Sequence, residues 1–173
     1  MLEKLISIKN SIVDRALTVL KERGVTYDDG GALWFRSTEY GDDKDRVLIK
    51  SDGAYTYFAV DIAYHYDKLK RSFNELINIW GADHHGYIPR VRAAVSVLSD
   101  SEEETVGFSV ILGQLVSLYR DGEQVRMSKR TGDMITLEEV VNEIGVDATR
   151  FFLLEKSADT HLDFDLDLAK KNK

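Results

Sequence analysis

Leu76-Ile77-Asn78-Ile79-Trp80-Gly81-Ala82-Asp83-His84-His85-Gly86 is the stretch on which the fold turns. Its first five residues form an apolar run of strand length, and Gly81 ends it. A polar turn follows, and residues 87–98 then read as a helix. A strand that passes through a glycine turn into a helix is the building unit of α/β proteins. The same alternation continues upstream. Val47-Leu48-Ile49 is a short buried strand, Ser51-Asp52-Gly53 turns the chain into Ala54–Ala59, and a helix is predicted from about Asp61 to Ser72. Residues 32–36 predict another strand, and Gly41 to Asp45 a charged turn. Residues 2–20 predict an amphipathic helix, because Leu2, Leu5, Ile6, Val13, Ala16, Leu17 and Leu20 follow the 3.6-residue period and Gly24 closes it. That stripe needs a surface to pack on.

Downstream, Ser99 to Thr105 is an acidic loop. Asp121-Gly122, after an apolar run and before Val125 and Met127, favours a hairpin over a helix. Thr136 and Glu139 form a capping box for a helix to Ile144, closed by Gly145, and Asp147 caps a further helix carrying Phe151 to Leu154. The expected fold is α/β, with a largely parallel sheet and a small helical appendage after a boundary near Thr131 to Ile135.

Composition narrows the function classes. At 173 residues and 19.7 kDa the chain has the length of one domain, or one domain with a small appendage. About 70% of the unfolded surface can be buried at that length, so a core forms without covalent staples. Cysteine is absent, which excludes disulfides, thiolate zinc sites and a thiol nucleophile. No apolar run approaches ~20 residues and no cationic-then-apolar leader opens the chain, so a cytoplasmic protein with no membrane partner is expected. Thirty acids against 23 bases give a net charge of −7, which disfavours a surface that coats nucleic acid.

Ligands of open α/β sheets bind at the carboxyl ends of the strands, where two segments stand out. In Gly81 to Gly86, glycine allows a ligand close to the backbone, a carboxylate at Asp83 can accept both hydroxyls of a ribose, and His84 and His85 suit a phosphate or a ring edge. The plainer alternative is a strand-to-helix turn with Asp83 as the helix cap. In Val125 to Gly132, three cations and two hydroxyls surround one glycine, a composition that can place an ammonium on a polyphosphate. The alternative there is a solvated basic loop. A third pair, Tyr57 and Asp61, shares one helical face if the helix starts early, and an acid beside a phenol suits a planar guanidinium. Otherwise Asp61 is a helix cap and Tyr57 a core residue.

Arg126-Met127-Ser128-Lys129-Arg130 resembles the Lys-Met-Ser-Lys-Ser signature of class I aminoacyl-tRNA synthetases. The flanking blocks narrow the resemblance to the bacterial type of arginyl-tRNA synthetase. They are Asp43 to Gly53, Tyr55-Thr56-Tyr57 with Asp61 to His65, Trp80 to Tyr87, Gly145 to Phe152, and Ser157 to Thr160 leading into Asp163-Phe164-Asp165. The resemblance runs from about residue 13 to residue 173. It implies the second half of a Rossmann-like, parallel-sheet nucleotide-binding domain at 41–132 and a helical stem-contact module at 133–173. Residues 1–40, helix then strand, would belong to the insertion between the two Rossmann halves.

The activity implied is the ATP-dependent activation of arginine and its transfer to tRNA(Arg), with Mg2+ carried on the ATP phosphates and no metal held by the protein. Residue by residue, Tyr57 and Asp61 match positions that grip the arginine side chain. Gly81, Asp83 and His84 match the turn that holds the adenosine, with Asp83 nearest the ribose. Val125 and Met127 match the adenine-facing part of the signature loop, and Ser128 and Lys129 its phosphate-handling, catalytic part.

The sequence also departs from the family. It contains no His-Ile-Gly-His-type motif, since His84-His85-Gly86 follows the wrong strand, and the arginine-binding groups of the first Rossmann half are missing, as is the helical anticodon-binding domain. The signature opens with Arg126 and closes with Arg130, and Ala82 stands where some relatives have glutamine. The expectation is a piece of the enzyme, inactive by itself and prone to self-association. Two alternatives remain open at this point: a truncated, non-catalytic paralogue acting as a binding module, and a metal-dependent phosphoesterase using Asp83-His84-His85. The latter would recruit acids from Asp42, Asp43, Asp163, Asp165 and Asp167, none of which closely follows an apolar strand.

Overall fold

The computed structural model describes residues 2–99, 106–125 and 135–171, with side chains from residue 12 onward. The chain divides into two compact units. The first is Met1–Asn78 with His84–Ile111, and the second is Ile79–Asp83 with Leu112–Lys173.

The first unit opens with helix α1 (Leu2–Glu22). The chain leaves it through Gly24 in the left-handed region at φ 71°, with Gly24 N–H donating to Lys21 O at 2.9 Å and Val25 N–H to Leu20 O at 3.3 Å. This pattern satisfies the last carbonyls of the helix. Val13, Ala16, Leu17 and Leu20 are buried, and α1 packs on helix α2 (Tyr57–Leu69), so these four residues of the stripe are core. Strands β1 (Thr26–Asp29), β2 (Ala32–Phe35) and β3 (Arg46–Ile49) form an antiparallel sheet in that order.

Two expectations change here. Thr26 to Asp29 pair as a strand that the sequence reading did not assign, because Gly30 and Gly31, both at positive φ, make a two-residue hairpin turn to β2. Residues 46–49, expected in a parallel sheet, run antiparallel to β2. The link between β2 and β3 contains only a short 3₁₀ turn (Ser37–Tyr40), and a parallel return needs a crossover of a dozen or more residues.

Helix α2 starts earlier than expected. Thr56 is its cap, its hydroxyl accepting from Ala59 N–H at 3.2 Å, so residues 57–59 are helical and not part of an extended run. Strand β4 (Glu75–Gly81) lies beside β5 (Gly107–Gly113) in a parallel pair, and helix α3 (Ile88–Leu98) lies between them in sequence. The strand and helix are those expected over 76–80 and 87–98, and β5, for which the sequence carries no clear signal, completes a strand–helix–strand unit. The alternation of β4 buries Leu76 and Asn78 and exposes Ile77 and Ile79.

In the second unit, β6 (Val116–Arg120) turns through Asp121 and Gly122, both at positive φ, into β7 (Glu123–Gln124), which is the expected hairpin. Strand β8 (Leu162–Asp165), which the sequence reading left unassigned, adds in parallel to β6 with Val116 opposite Leu162. Helix α4 (Leu137–Ile144) carries the expected Thr136–Glu139 capping box. Helix α5 (Val146–Leu154) is capped at Gly145, so Asp147 lies inside its first turn and is not the cap. Helix α6 (Leu166–Lys171) closes the unit, with Asp165 accepting from the N–H groups of Asp167 and Leu168. Leu118, Val140, Ile144, Leu162, Phe164, Leu166 and Ala169 make one core across β6, β8, α4 and α6. Among the described residues no helix is long and apolar enough to cross a membrane.

Candidate functional site

Because α2 begins at residue 57, Tyr57 and Asp61 lie one turn apart on its surface, the condition set for reading them as a pair. Tyr57 is 91% exposed, so it is not a core residue, and Thr56 caps the helix, so Asp61 does not. Asp61 is half-buried and accepts a hydrogen bond at Oδ2 from the Tyr87 hydroxyl at 2.7 Å. Burial, and then this bond and the Asp61 charge, push the Tyr87 phenol well above the ordinary tyrosine value, so it stays a donor at any physiological pH.

One turn further along α2, His65 is buried at 3% exposure. Its Nδ1 lies 2.8 Å from the Asp61 carbonyl, and its Nε2 lies 2.7 Å from the Asn78 amide nitrogen. A carbonyl can only accept, so Nδ1 carries the proton and Nε2 accepts from Asn78. Asn78 Oδ1 in turn accepts from Lys68 Nζ at 2.8 Å. Burial pulls the His65 imidazole below its ordinary value, which keeps it neutral. This network ties α2 to β4, and sequence spacing gave no sign of it.

Nearby in the same unit, Arg46 makes two bonds to Asp42, at 2.7 and 2.8 Å, and a third to Asp43. Burial works to raise the Asp42 carboxyl. The bonds from Arg46, Asp43 N–H and Ser37 more than offset this and hold it well below the carboxylate range.

His84 lies exposed in the 3₁₀ turn (Ala82–Tyr87) that continues β4. In the second unit, Asp83 folds back over Gly81. A Cβ at position 81 would stand 2.5 Å from Asp83 Oδ1, so this carboxylate position requires glycine. Asp83 does not cap α3, whose cap position is Tyr87. Val125 donates its N–H to Leu118 O at 2.8 Å and rests partly against the core of the second unit. Met127, Ser128 and Lys129, with the rest of the signature from Arg126 to Gly132, lie outside the described residues.

Four of the five acids that a bridged-metal phosphoesterase would recruit are otherwise engaged, and the fifth, Asp163, lies 3.1 Å from His161 Nε2. Asp42 and Asp43 hold Arg46, Asp165 caps α6, and Asp167 accepts from Asp121 N–H at 2.6 Å. Among the described residues no group of three or more acidic or histidine side chains is placed to hold a metal ion.

The family model for the catalytic domain of class I tRNA synthetases (R) matches residues 2–170. The chain is 59% identical over 157 residues to arginine–tRNA ligase 1 of Halalkalibacterium halodurans, covering 91% of this chain and 28% of that protein. It is equally similar to the arginine–tRNA ligase of Geobacillus kaustophilus, at 59% identity over 157 residues with the same coverage. Among solved structures, an arginyl-tRNA synthetase from Campylobacter jejuni superimposes with a TM-score of 0.78 at 46% identity, covering 91% of this chain and 34% of that one. The Thermus thermophilus enzyme, at 18% identity and a TM-score of 0.71 over 94% of this chain and 37% of its own, shares the fold. The chain thus spans between a quarter and a third of the length of the curated relatives it matches.

Proposed function

This chain belongs to the catalytic domain of the arginine-type class I tRNA synthetases, and on that premise we propose that it supplies one half of the active site of an arginine–tRNA ligase. In this reaction a carboxylate oxygen of arginine attacks the α-phosphorus of ATP and the bond to pyrophosphate breaks. The arginyl-adenylate then passes its arginyl group to a ribose hydroxyl of tRNA(Arg), releasing AMP. The observation that carries the reading is the pair on α2: an exposed phenol at Tyr57 one turn from a half-buried carboxylate at Asp61. No cation is paired with that carboxylate among the described residues, and a guanidinium supplies one.

In this frame Gly81, Asp83 and His84 take the adenosine, with Val125 and Met127 against the base. Ser128 and Lys129 take the phosphates, on which Mg2+ arrives with ATP. The Gly81–Asp83 geometry suits such a ligand, because the missing Cβ leaves the ribose-facing carboxylate its place. Residues 1–40 belong to the insertion between the Rossmann halves, 41–132 to the second half, and 133–173 to the stem-contact module. The protein works in the cytoplasm.

The test is made in a full-length bacterial arginine–tRNA ligase carrying this segment. Asp61→Ala is expected to raise the arginine KM by about two orders of magnitude or more, since breaking a desolvated charge pair costs ~3–5 kcal/mol. Lys129→Ala is expected to lower kcat by ~10²–10³ with little change in arginine KM, because charge grows on the departing phosphates only in the transition state. Unchanged arginine KM in Asp61→Ala would overturn the assignment of Asp61.

A further inference from the structure

Resting on Asp61 as the guanidinium acceptor, we propose that Tyr87 is a positioning residue for arginine recognition, fixing the Asp61 carboxylate through the hydroxyl bond to Oδ2. The phenol reaches Asp61 from 26 residues away in sequence, at 2.7 Å. Its ring is held on two sides. Phe58, buried and adjacent to Tyr57, meets it edge-on at 6.1 Å and 88°, and the Arg90 guanidinium lies 4.7 Å from its centroid. Arg90 Nε is buried without a hydrogen-bond partner among the described residues, so the guanidinium is placed by this stacking and not by a competing bond at that atom. The backbone behind Asp61 is held as well, since its carbonyl accepts from His65 Nδ1 at 2.8 Å. A carboxylate on a free side chain rotates about its last torsion. This one has its backbone and one oxygen tied.

The chemistry of the tie matters. A lysine or arginine on Oδ2 would orient the carboxylate equally well but neutralise the charge that a substrate cation must meet. A phenol donates a hydrogen bond and brings no cation of its own to the site. Each carboxylate oxygen can accept more than one bond. Oδ1 and the second acceptor site of Oδ2 therefore remain for two parallel N–H groups of a guanidinium fork. Pre-orienting that plane removes a rotamer cost from binding. The arrangement selects a planar cation with two aligned donors over an ammonium, which needs no such plane.

The experiment uses the same full-length enzyme, with Tyr87→Phe. Phenylalanine keeps the ring contacts to Phe58 and Arg90 and removes only the hydroxyl, and a thermal melt within about 2 °C of the parent confirms that folding is intact. The expected result is an arginine KM raised about 5- to 10-fold, which is ~1–1.4 kcal/mol. The inhibition constant of agmatine, which carries the guanidinium without the carboxylate, should rise by the same factor. The ATP KM and kcat should stay within about twofold. An unchanged arginine KM would overturn the inference, as would equal shifts in ATP KM or kcat, which mark a general packing role. Asp61→Ala separates the two levels. If it weakens arginine while Tyr87→Phe is silent, only the role of Tyr87 falls. If it leaves arginine untouched, the reading of the site falls with it.

Discussion

Asp83 bends back over Gly81 so closely that a single methyl group at position 81 would stand 2.5 Å from its Oδ1. The backbone there does not demand glycine through its φ, so the requirement is one of space and not of conformation. Gly81→Ala in the full-length enzyme should therefore displace the carboxylate assigned to the ribose. The expected outcome is an ATP KM raised about tenfold, or ~1.4 kcal/mol, with the arginine KM within about twofold, measured in tRNA charging. An unchanged ATP KM would remove Asp83 from the nucleotide site. At this scale the sequence was informative wherever chemistry is local. Gly81, Asp83, Tyr57 and Asp61 were all legible as candidates. Tyr87 was not, because its bond to Asp61 closes a gap of 26 residues that no periodicity records.

Helix α2 and strand β4 meet through His65 and Asn78, and the pairing has a pH signature. Burial holds the folded His65 below its ordinary value, so the unfolded chain binds a proton that the folded chain refuses. Stability is then complete above the unfolded value of about 6.5 and falls as the pH drops from there towards the folded value. The chain should lose urea midpoint between pH 7.5 and 5.5, and His65→Gln should flatten that loss while lowering stability at pH 7.5. A midpoint independent of pH in the parent chain would show that His65 charges freely in place. Local signals set three element boundaries: the Thr136–Glu139 capping box, the Asp121-Gly122 hairpin and the Gly24 stop are all found. The start of α2 is hidden in the sequence because Thr56 carries a capping hydroxyl inside an apolar run that also suits a strand. Strand β1 is hard to see in the sequence because Thr26-Tyr27-Asp28-Asp29 has no aliphatic residue and none of the four is buried, although Gly30-Gly31 is a hairpin signal in plain view.

For the molecule as a whole, the chain spans about 28% of the length of its curated relatives, and the histidine motif of the first Rossmann half is not in its sequence. The 173-residue chain alone is therefore expected to show no arginine charging of tRNA above a buffer control, and measurable charging by chain freed of host enzyme would refute this. It is also expected to self-associate. Val13, Leu17 and Leu20 cannot serve as the contact, since they are buried in the first unit, whereas Ile77 and Ile79 on β4 are 57% and 76% exposed. An apolar face on a two-stranded sheet invites a second copy. Sedimentation should show mass rising with concentration, and Ile79→Lys should suppress it; a monomer at every concentration would count against this face. The sequence by itself determined the family, the strand and helix over residues 76–98 and the candidate residues, because blocks of side chains in order and hydrophobic periods are one-dimensional properties. Tertiary structure alone decided that β3 turns back antiparallel, that β8 joins β6, and that Tyr87 and His65 brace Asp61. Those outcomes depend on which distant segments compete for the same backbone groups and buried space, and that competition is resolved only when the chain packs.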